Sequence, residues 1–317
     1  MEASTMRPRL TEQQQSEIEA ARAASAATRR PVAAGLEARL YEAIPILDHG
    51  LIRVVDYMGD DAAIVQAARV SYGAGTKQAR DDAGLIRYLM RHWHSTPFEM
   101  CEIKLHVKLP IFVARQWIRH RTANVNEYSA RYSILDREFY IPAPEHLAAQ
   151  ASNNRQGRGD VLQGAEANEV LEMLRRDSGR AFDSYAHMLN EGEDRDPDRR
   201  GLARELARMN LPANTYTQWY WKVDLHNLFH FLRLRADPHA QYEIRVYADA
   251  ICELVKAWVP QAYSAFEDYR LDAQQFSGPA MACLRRMLAG DTVTQADSGM
   301  SPGEWREMQA ALGGSGG

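Results

Sequence analysis

Residues 115–132, Arg-Gln-Trp-Ile-Arg-His-Arg-Thr-Ala-Asn-Val-Asn-Glu-Tyr-Ser-Ala-Arg-Tyr, hold the densest chemistry in the chain. Arg115, Arg119, Arg121 and Arg131 stand there with His120, Glu127, Trp117, Tyr128 and Tyr132. A solvated helix mostly uses Lys balanced by Glu. Arg instead presents a planar fork of donors that suits phosphate and carboxylate oxygens. Forks among aromatic faces point to a site for something anionic and flat, such as a nucleotide or a dinucleotide cofactor. On a helix Arg115 and Arg119 share a face, and like charges at that spacing repel unless an anion or acid lies between them. The competing reading is a surface patch that pairs with acids from Asp60 and Asp61 or from residues 191–198.

Two further segments carry candidate chemistry. In His92-Trp93-His94-Ser95-Thr96-Pro97-Phe98-Glu99 the histidines at i and i+2 would face apart on a helix, and no third ligand is nearby, so no metal is expected. The plain reading is a helix C-terminus, where His suits the dipole, followed by a Thr-Pro turn. The sharper reading is a turn that touches a cofactor. In residues 233–243, Asp237-Pro238 reads as an N-cap followed by Pro at the first helical position. Arg235 would precede that helix, either pairing with Asp237 or facing a ligand. The chain has no GxGxxG and no Walker loop. A phosphate-bearing ligand must then be held by side chains.

The elements that position these residues follow from periodicity. Residues 102–109 alternate strictly, so Ile103, Leu105, Val107 and Leu109 should face a core, in a strand that Pro110 ends. A helix over 111–120 should follow, with Pro110 near its first turn. Strands are expected at 51–57 and 219–223. Helices are expected from the Asp60 cap to Ala68, from Asp81 or Asp82 to His92, up to Leu189, over 203–211, over 225–234 and over 239–259. Residues 153–160 and 191–200 read as loops. Thr11 with Gln14 forms a capping box for a polar helix, and Ser301-Pro302-Gly303-Glu304 another; between Tyr269 and Ser301 no pattern stands out. Helices outnumber strands and do not alternate with them regularly. The expected class is α+β, a single domain with a small sheet flanked by several helices. Residues 1–45 are expected to be a poorly ordered N-terminal extension, 46–270 the domain, and 271–317 a C-terminal extension.

The chain of 317 residues carries a net charge of −4 with His neutral. That balance argues against a general nucleic-acid coat protein and leaves the basic run as a local feature. Cys101, Cys252 and Cys283 form no CxxC pair and are odd in number, so neither a zinc site nor a disulfide framework is expected. A reducing cytoplasm fits. No apolar run approaches the ~20 residues of a membrane helix, and the first residues lack the apolar core of a secretory signal.

Together these segments resemble the flavin-dependent thymidylate synthases. The family's signature is Arg-His-Arg, seven residues, then Ser. Here it is Arg119-His120-Arg121, the seven residues Thr122 to Tyr128, then Ser129. Residues 94–99, 110–132 and 234–243 also resemble the family and follow its order, within a likeness that spans 46–270. The resemblance implies an enzyme that makes dTMP from dUMP. The carbon donor would be 5,10-methylenetetrahydrofolate, the redox carrier FAD and the hydride source NADPH. It also implies a homotetramer with active sites shared between subunits. Carried over residue by residue, it implies flavin contacts at Arg119, His120 and Arg121, supported by Thr96 and Glu127, with His94 against the flavin. Asp224, Leu225, His226 and His230 match a further FAD-holding stretch. Gln116, Arg119, Glu127, Ser129, Ala130 and Arg131 match the dUMP-binding run, with Arg208 and Arg235 as additional contacts. Met100 stands where some members have His.

Uracil C5 is a poor nucleophile. Cysteine-dependent synthases solve this by adding a thiolate to C6, but no cysteine here sits in the basic run or beside a group that would lower its pKa. The resemblance implies electrostatic activation instead, with reduced flavin delivering hydride to the nucleotide. Arg235 is the expected catalytic residue, its guanidinium stabilising charge that develops at N3 and the adjacent oxygens. Arg131 and Arg208 would anchor the phosphate. Ser129 has no adjacent base and reads as a phosphate donor, not a nucleophile. Two rivals use the same residues. A flavin–folate methyltransferase of tRNA uracil needs a wider basic surface, and an RNA-binding module needs an RNA-binding signature. The sequence shows neither.

Overall fold

The alternation of residues 102–109 sets the middle of a sheet. In the strand Glu102–Pro110, Ile103, Leu105, Val107 and Leu109 are fully buried, since alternate side chains leave a strand on opposite faces. In chain order the strands are β1 (Ile44–Ile46), β2 (Gly50–Met58), β3 (Glu102–Pro110), β4 (Asn124–Glu127), β5 (Ala148–Gln150), β6 (Arg158–Val161) and β7 (Tyr216–Asp224). Five form an antiparallel sheet in the order β1-β2-β3-β7-β4, with Leu105 opposite Val54 on one side and Trp221 on the other. Among the described residues β5 and β6 pair only with each other. This is a computed structural model that describes residues 10–70, 82–151, 157–192 and 195–313. It is of the expected α+β class, a small sheet with many helices.

The chain forms two units, Met1–Ala265 and Phe266–Gly317. In the first the helices are α1 (Glu12–Ala23), α2 (Ala34–Glu37), α3 (Asp61–Val70), α4 (Asp82–Arg91), α5 (Thr96–Glu99), α6 (Ile111–Trp117), α7 (Gly164–Leu189), α8 (Arg204–Ala207), α9 (Leu225–Arg235) and α10 (Tyr242–Trp258); α11 (Pro260–Phe266) ends at the boundary. The core sits where α6, α9 and α10 meet the sheet. Trp117 of α6 touches Trp221 of β7, Phe231 of α9 and Tyr247 of α10. Tyr247 also donates to the carbonyl of Lys108 at 2.7 Å, pinning α10 to β3. Gly50 makes this approach possible: a Cβ there would lie 2.2 Å from the Tyr247 hydroxyl. Among the described residues no helix is long and apolar enough to cross a membrane.

Several boundaries differ from expectation. The last helix of the first unit's core starts at Tyr242, not His239, because Asp237 caps a turn of its own: its Oδ1 accepts from the His239 N–H at 2.7 Å. The 111–120 helix stops at Trp117. Residues 158–160, expected in a loop, belong to β6, while Asp81 and residues 153–156 lie outside the described residues. The stretch without a pattern holds α12 (Gly278–Leu288) and α13 (Gln295–Ser298) before α14 (Pro302–Ala311). Small residues hid α12, whose buried side chains are Ala280 and Cys283. With Val293, Met300 and Met308 they form the second unit's own core. Thr11 and Gln14 close the expected capping box. At Ser301 only half forms, because the Glu304 carboxylate accepts from Ser277 instead.

Candidate active site

Trp117 anchors the basic run. Its ring is fully buried, 4.6 Å from Phe231 and 5.2 Å from Trp221. With that side chain fixed in the core, Gln116 and Arg119 on either side reach a cleft of about 1430 Å³. Arg235, at the C-terminal end of α9, lines the same cleft, together with Arg233 and Arg245. Gln116 Oε1 is buried with no hydrogen-bond partner among the described residues. An acceptor in that state fits a ligand donor, since buried polar atoms are otherwise almost always paired.

Behind the cleft, Arg235 Nε donates to His120 Nε2 at 3.1 Å. His120 must then carry its own proton on Nδ1. Burial, followed by the charge of Arg235 and by His230, lowers its pKa to about 4, so it is a neutral acceptor near pH 7. Burial, and then the charge of Arg119, also lowers the pKa of Arg235. The alternative in which Arg235 pairs with Asp237 is not formed; Asp237 Oδ1 bonds His239. The surface-patch reading finds no support among the described residues; Glu193 and Asp194 of its acid segment lie outside them. Asp60 accepts from Ala63 N–H, Asp61 from Gln261 and Ala262 N–H, and Glu191 pairs with Arg204. Arg115, Arg119 and Arg121 form no ion pair among the described residues.

The remaining expected residues fall in distinct places. The His120 ring lies 5.8 Å from His230 and 5.0 Å from Phe231. Arg121 is exposed on the turn beyond α6. His94 is exposed and stacks on Tyr88 at 6.0 Å, and Thr96 opens α5. Asp224 caps α9, accepting from Asn227 N–H at 2.9 Å; Leu225 is buried with its N–H on the Cys101 carbonyl, and His226 is half-buried. Glu127 accepts from the Thr217 hydroxyl at 2.7 Å. Ser129, Ala130, Arg131 and Arg208 do not line the cleft. Arg131 Nε lies 3.3 Å from Glu205, three residues before the exposed Arg208. The residues expected to hold a nucleotide therefore form two groups on one chain. The donor set fits a flavin dinucleotide: cations at Arg119 and Arg121, without an ion pair among the described residues, for its phosphates, and imidazole faces at His94 and His230 for its rings.

Sequence reasoning missed other lining residues, among them His146, Arg158 and Tyr242. The rings of His146 and Tyr242 stack at 3.6 Å. No periodic pattern flags Arg158, which sits in a Gly-Arg-Gly-Asp run. All three cysteines are buried. The Cys101 thiol is pushed up to about 12 by burial and then by Asp60 and Asp61, so it is no nucleophile at neutral pH.

Fold and site define a class: an α+β protein with an arginine-lined cleft and no glycine-rich phosphate loop. The family model described as "Thymidylate synthase complementing protein" matches residues 53–261. The chain is 70% identical over 305 residues to the flavin-dependent thymidylate synthase of Ruegeria pomeroyi, covering 96% of this chain and 99% of that protein. It is 64% identical to the one from Gluconobacter oxydans over the same shares. A solved structure of the UMP/dUMP methylase PolB from Streptomyces cacaoi, bound with 5-Br UMP, is similar at TM-score 0.62 and 33% identity, covering 70% of this chain and 95% of that one. The chain belongs to the flavin-dependent thymidylate synthase family.

Proposed function

We propose that this chain converts dUMP to dTMP by reductive methylation, taking its carbon from 5,10-methylenetetrahydrofolate and its reducing equivalents from NADPH through FAD. The observation that carries the reading is the arginine-lined cleft in which Arg235 is oriented by a neutral His120, beside a Gln116 acceptor with no partner among the described residues and with no cysteine in its lining. Bound FAD supplies hydride chemistry. The chain's own residues bind, orient and stabilise charge. Gln116 accepts from a ring N–H or ribose hydroxyl. Arg235, with Nε committed to His120, presents its terminal nitrogens to charge that develops on the uracil ring, a preorganised electrostatic role. Arg119, His120, Arg121, His94, Thr96, Glu127, Asp224, Leu225, His226 and His230 are assigned to FAD.

Ser129, Ala130, Arg131 and Arg208 are assigned to the nucleotide phosphate, although they lie outside the cleft. Their placement supports a homotetramer with shared sites, in which one subunit's Arg131 and Arg208 complete another's cleft. A symmetric assembly brings such separate patches together. The catalytic domain is assigned to 46–270, with extensions on both sides. Buried thiols in place of disulfides agree with a cytoplasmic enzyme.

The test is tritium release from C5-labelled dUMP. Release that depends on the folate and on NADPH, from a yellow protein with a flavin spectrum, supports the reading. Release from labelled tRNA uracil but not from dUMP would replace it with the tRNA methyltransferase. A colourless, inert protein would leave the RNA-binding module. Light scattering that gives a monomer would remove the shared-site assignment.

A further inference from the structure

We propose that Arg158 is a further ligand-binding guanidinium of this cleft, contacting an anionic group of a substrate, and that Glu243 is the positioning residue that holds it there. The proposal rests on the reading of the cleft as the substrate site.

Arg158 stands on β6, which among the described residues pairs only with β5, in a sheet separate from the five-stranded one. A two-stranded ribbon is marginal by itself, so a side chain on it needs a tether to be held precisely in place. Glu243 in the first turn of α10 is that tether, and only 3% of it is exposed. Its Oε1 accepts from Arg158 Nη2 at 2.6 Å and from the Tyr140 hydroxyl at 3.1 Å. Its Oε2 accepts from Gln241 Nε2 at 2.9 Å and again from Arg158 Nη2. A buried carboxylate is tolerated only when fully hydrogen-bonded and paired, and this one is both. Burial pushes its pKa up, but the bonds from Arg158 and Gln241 outweigh that and hold it below the usual carboxylate range.

The pair is asymmetric with respect to the cavity. The anion is withdrawn into the base of α10, whereas the Arg158 side chain is 37% exposed and lines the cleft. Its Nη1 donates to the His146 carbonyl at 3.1 Å, and its guanidinium lies 6.0 Å over the Tyr242 ring. These contacts fix the plane of the fork while leaving Nε without a partner among the described residues. An ion pair with a purely structural task needs no cation in a ligand cavity. The cleft also exceeds the roughly 300–1,000 Å³ usual for one small ligand, which leaves room for a second substrate beside the nucleotide. The group recognised is a phosphate or a carboxylate. Its source is the nucleotide, the folate's glutamate tail or the reduced dinucleotide.

The experiment is steady-state dTMP formation by the full chain with FAD, varying dUMP, 5,10-methylenetetrahydrofolate and NADPH in turn. Arg158→Met should raise the KM of one of the three about 10- to 100-fold, the worth of a lost charge-assisted bond, with kcat little changed. The substrate whose KM moves names the source of the anion. Arg158→Lys should recover part of the loss, and Glu243→Gln should raise the same KM because it loosens the fork. Should Arg158→Met unfold by stranding a buried charge, Arg158→Met with Glu243→Gln is neutral and gives the same reading. A merely structural pair would lower the melting temperature without a selective KM change. Three unmoved KM values in a folded Arg158 variant overturn the proposal. A Glu243→Gln enzyme with wild-type KM values removes the positioning half. If the wild-type chain makes no dTMP, the functional reading fails instead.

Discussion

Arg235 and His120 stand 115 positions apart in the chain and are joined by a 3.1 Å hydrogen bond from Nε to Nε2. The bond uses the donor of Arg235 nearest its stem and leaves the terminal nitrogens for a ligand. It also requires His120 to be neutral, which burial and the charge of Arg235 ensure. In the proposed mechanism this tautomer lets His120 orient Arg235, alongside the contact with FAD proposed for it.

Arg235→Met should lower kcat for dTMP formation by about 100-fold, on the order of 3 kcal/mol in the barrier. Flavin content, read from the visible spectrum, should stay near wild type. Arg235→Lys should recover little, because an ammonium has no Nε to give His120 and no planar fork. Wild-type turnover in Arg235→Met would remove Arg235 as the activating group.

Ser129→Ala should retain turnover, with a raised KM for dUMP and a modest fall in kcat. The Ser129 Oγ accepts from the Arg131 N–H at 3.3 Å, and no base bonds to it among the described residues, so nothing activates it as a nucleophile. Isothermal titration with dUMP separates the outcomes. Complete loss of activity with nucleotide binding intact would make Ser129 the nucleophile.

Cys101→Ser should leave catalysis intact, since a thiol held at about 12 is almost wholly protonated at pH 7. A cost in stability is expected, because the residue is fully buried. Activity assayed below the melting temperature, before and after alkylation of the native protein, checks this. Abolished turnover in a folded Cys101→Ser enzyme would restore a thiolate route.

Stability should fall as pH drops from 6.5 to about 4. His106 is held neutral between Arg53 Nε at 3.0 Å and Gln218 Oε1 at 2.9 Å, and burial, then Arg53, lowers its pKa to about 4. The unfolded chain keeps the ordinary value of 6.5 and binds the proton first. Stability from this residue is therefore complete above that value and is lost as pH falls through the window, by on the order of 3 kcal/mol. His120 adds to the same slope. Urea midpoints measured across the window should be flatter in His106→Gln; an unchanged slope would assign the acid sensitivity elsewhere.

The local elements were legible where a short-range rule applies. Strict alternation gave β3 its inward Ile103, Leu105, Val107 and Leu109, and Thr11 with Gln14 marked the start of α1. Where two local rules competed, the reading erred. Asp237-Pro238 looks like a helix start, but the Asp side chain closed its own turn and α10 began later. Local rules were silent on α12, whose buried face is built of Ala280 and Cys283 and carries little periodic signal.

By itself the sequence determined which groups are available: the Arg-His-Arg run, the seven-residue spacing to Ser129, and the lack of a glycine-rich loop or a paired cysteine. Residue type and spacing are properties of the covalent chain and need no fold. Tertiary structure alone decided their partners. Trp117, sunk among Trp221 and Phe231, turned Gln116 and Arg119 into one cleft. The end of α9 brought Arg235 to His120, and the base of α10 brought Glu243 to Arg158. It also left Ser129, Arg131 and Arg208 outside that cleft. Burial and the charges of distant neighbours set which groups are neutral, charged or unreactive, and no short window of sequence contains those neighbours.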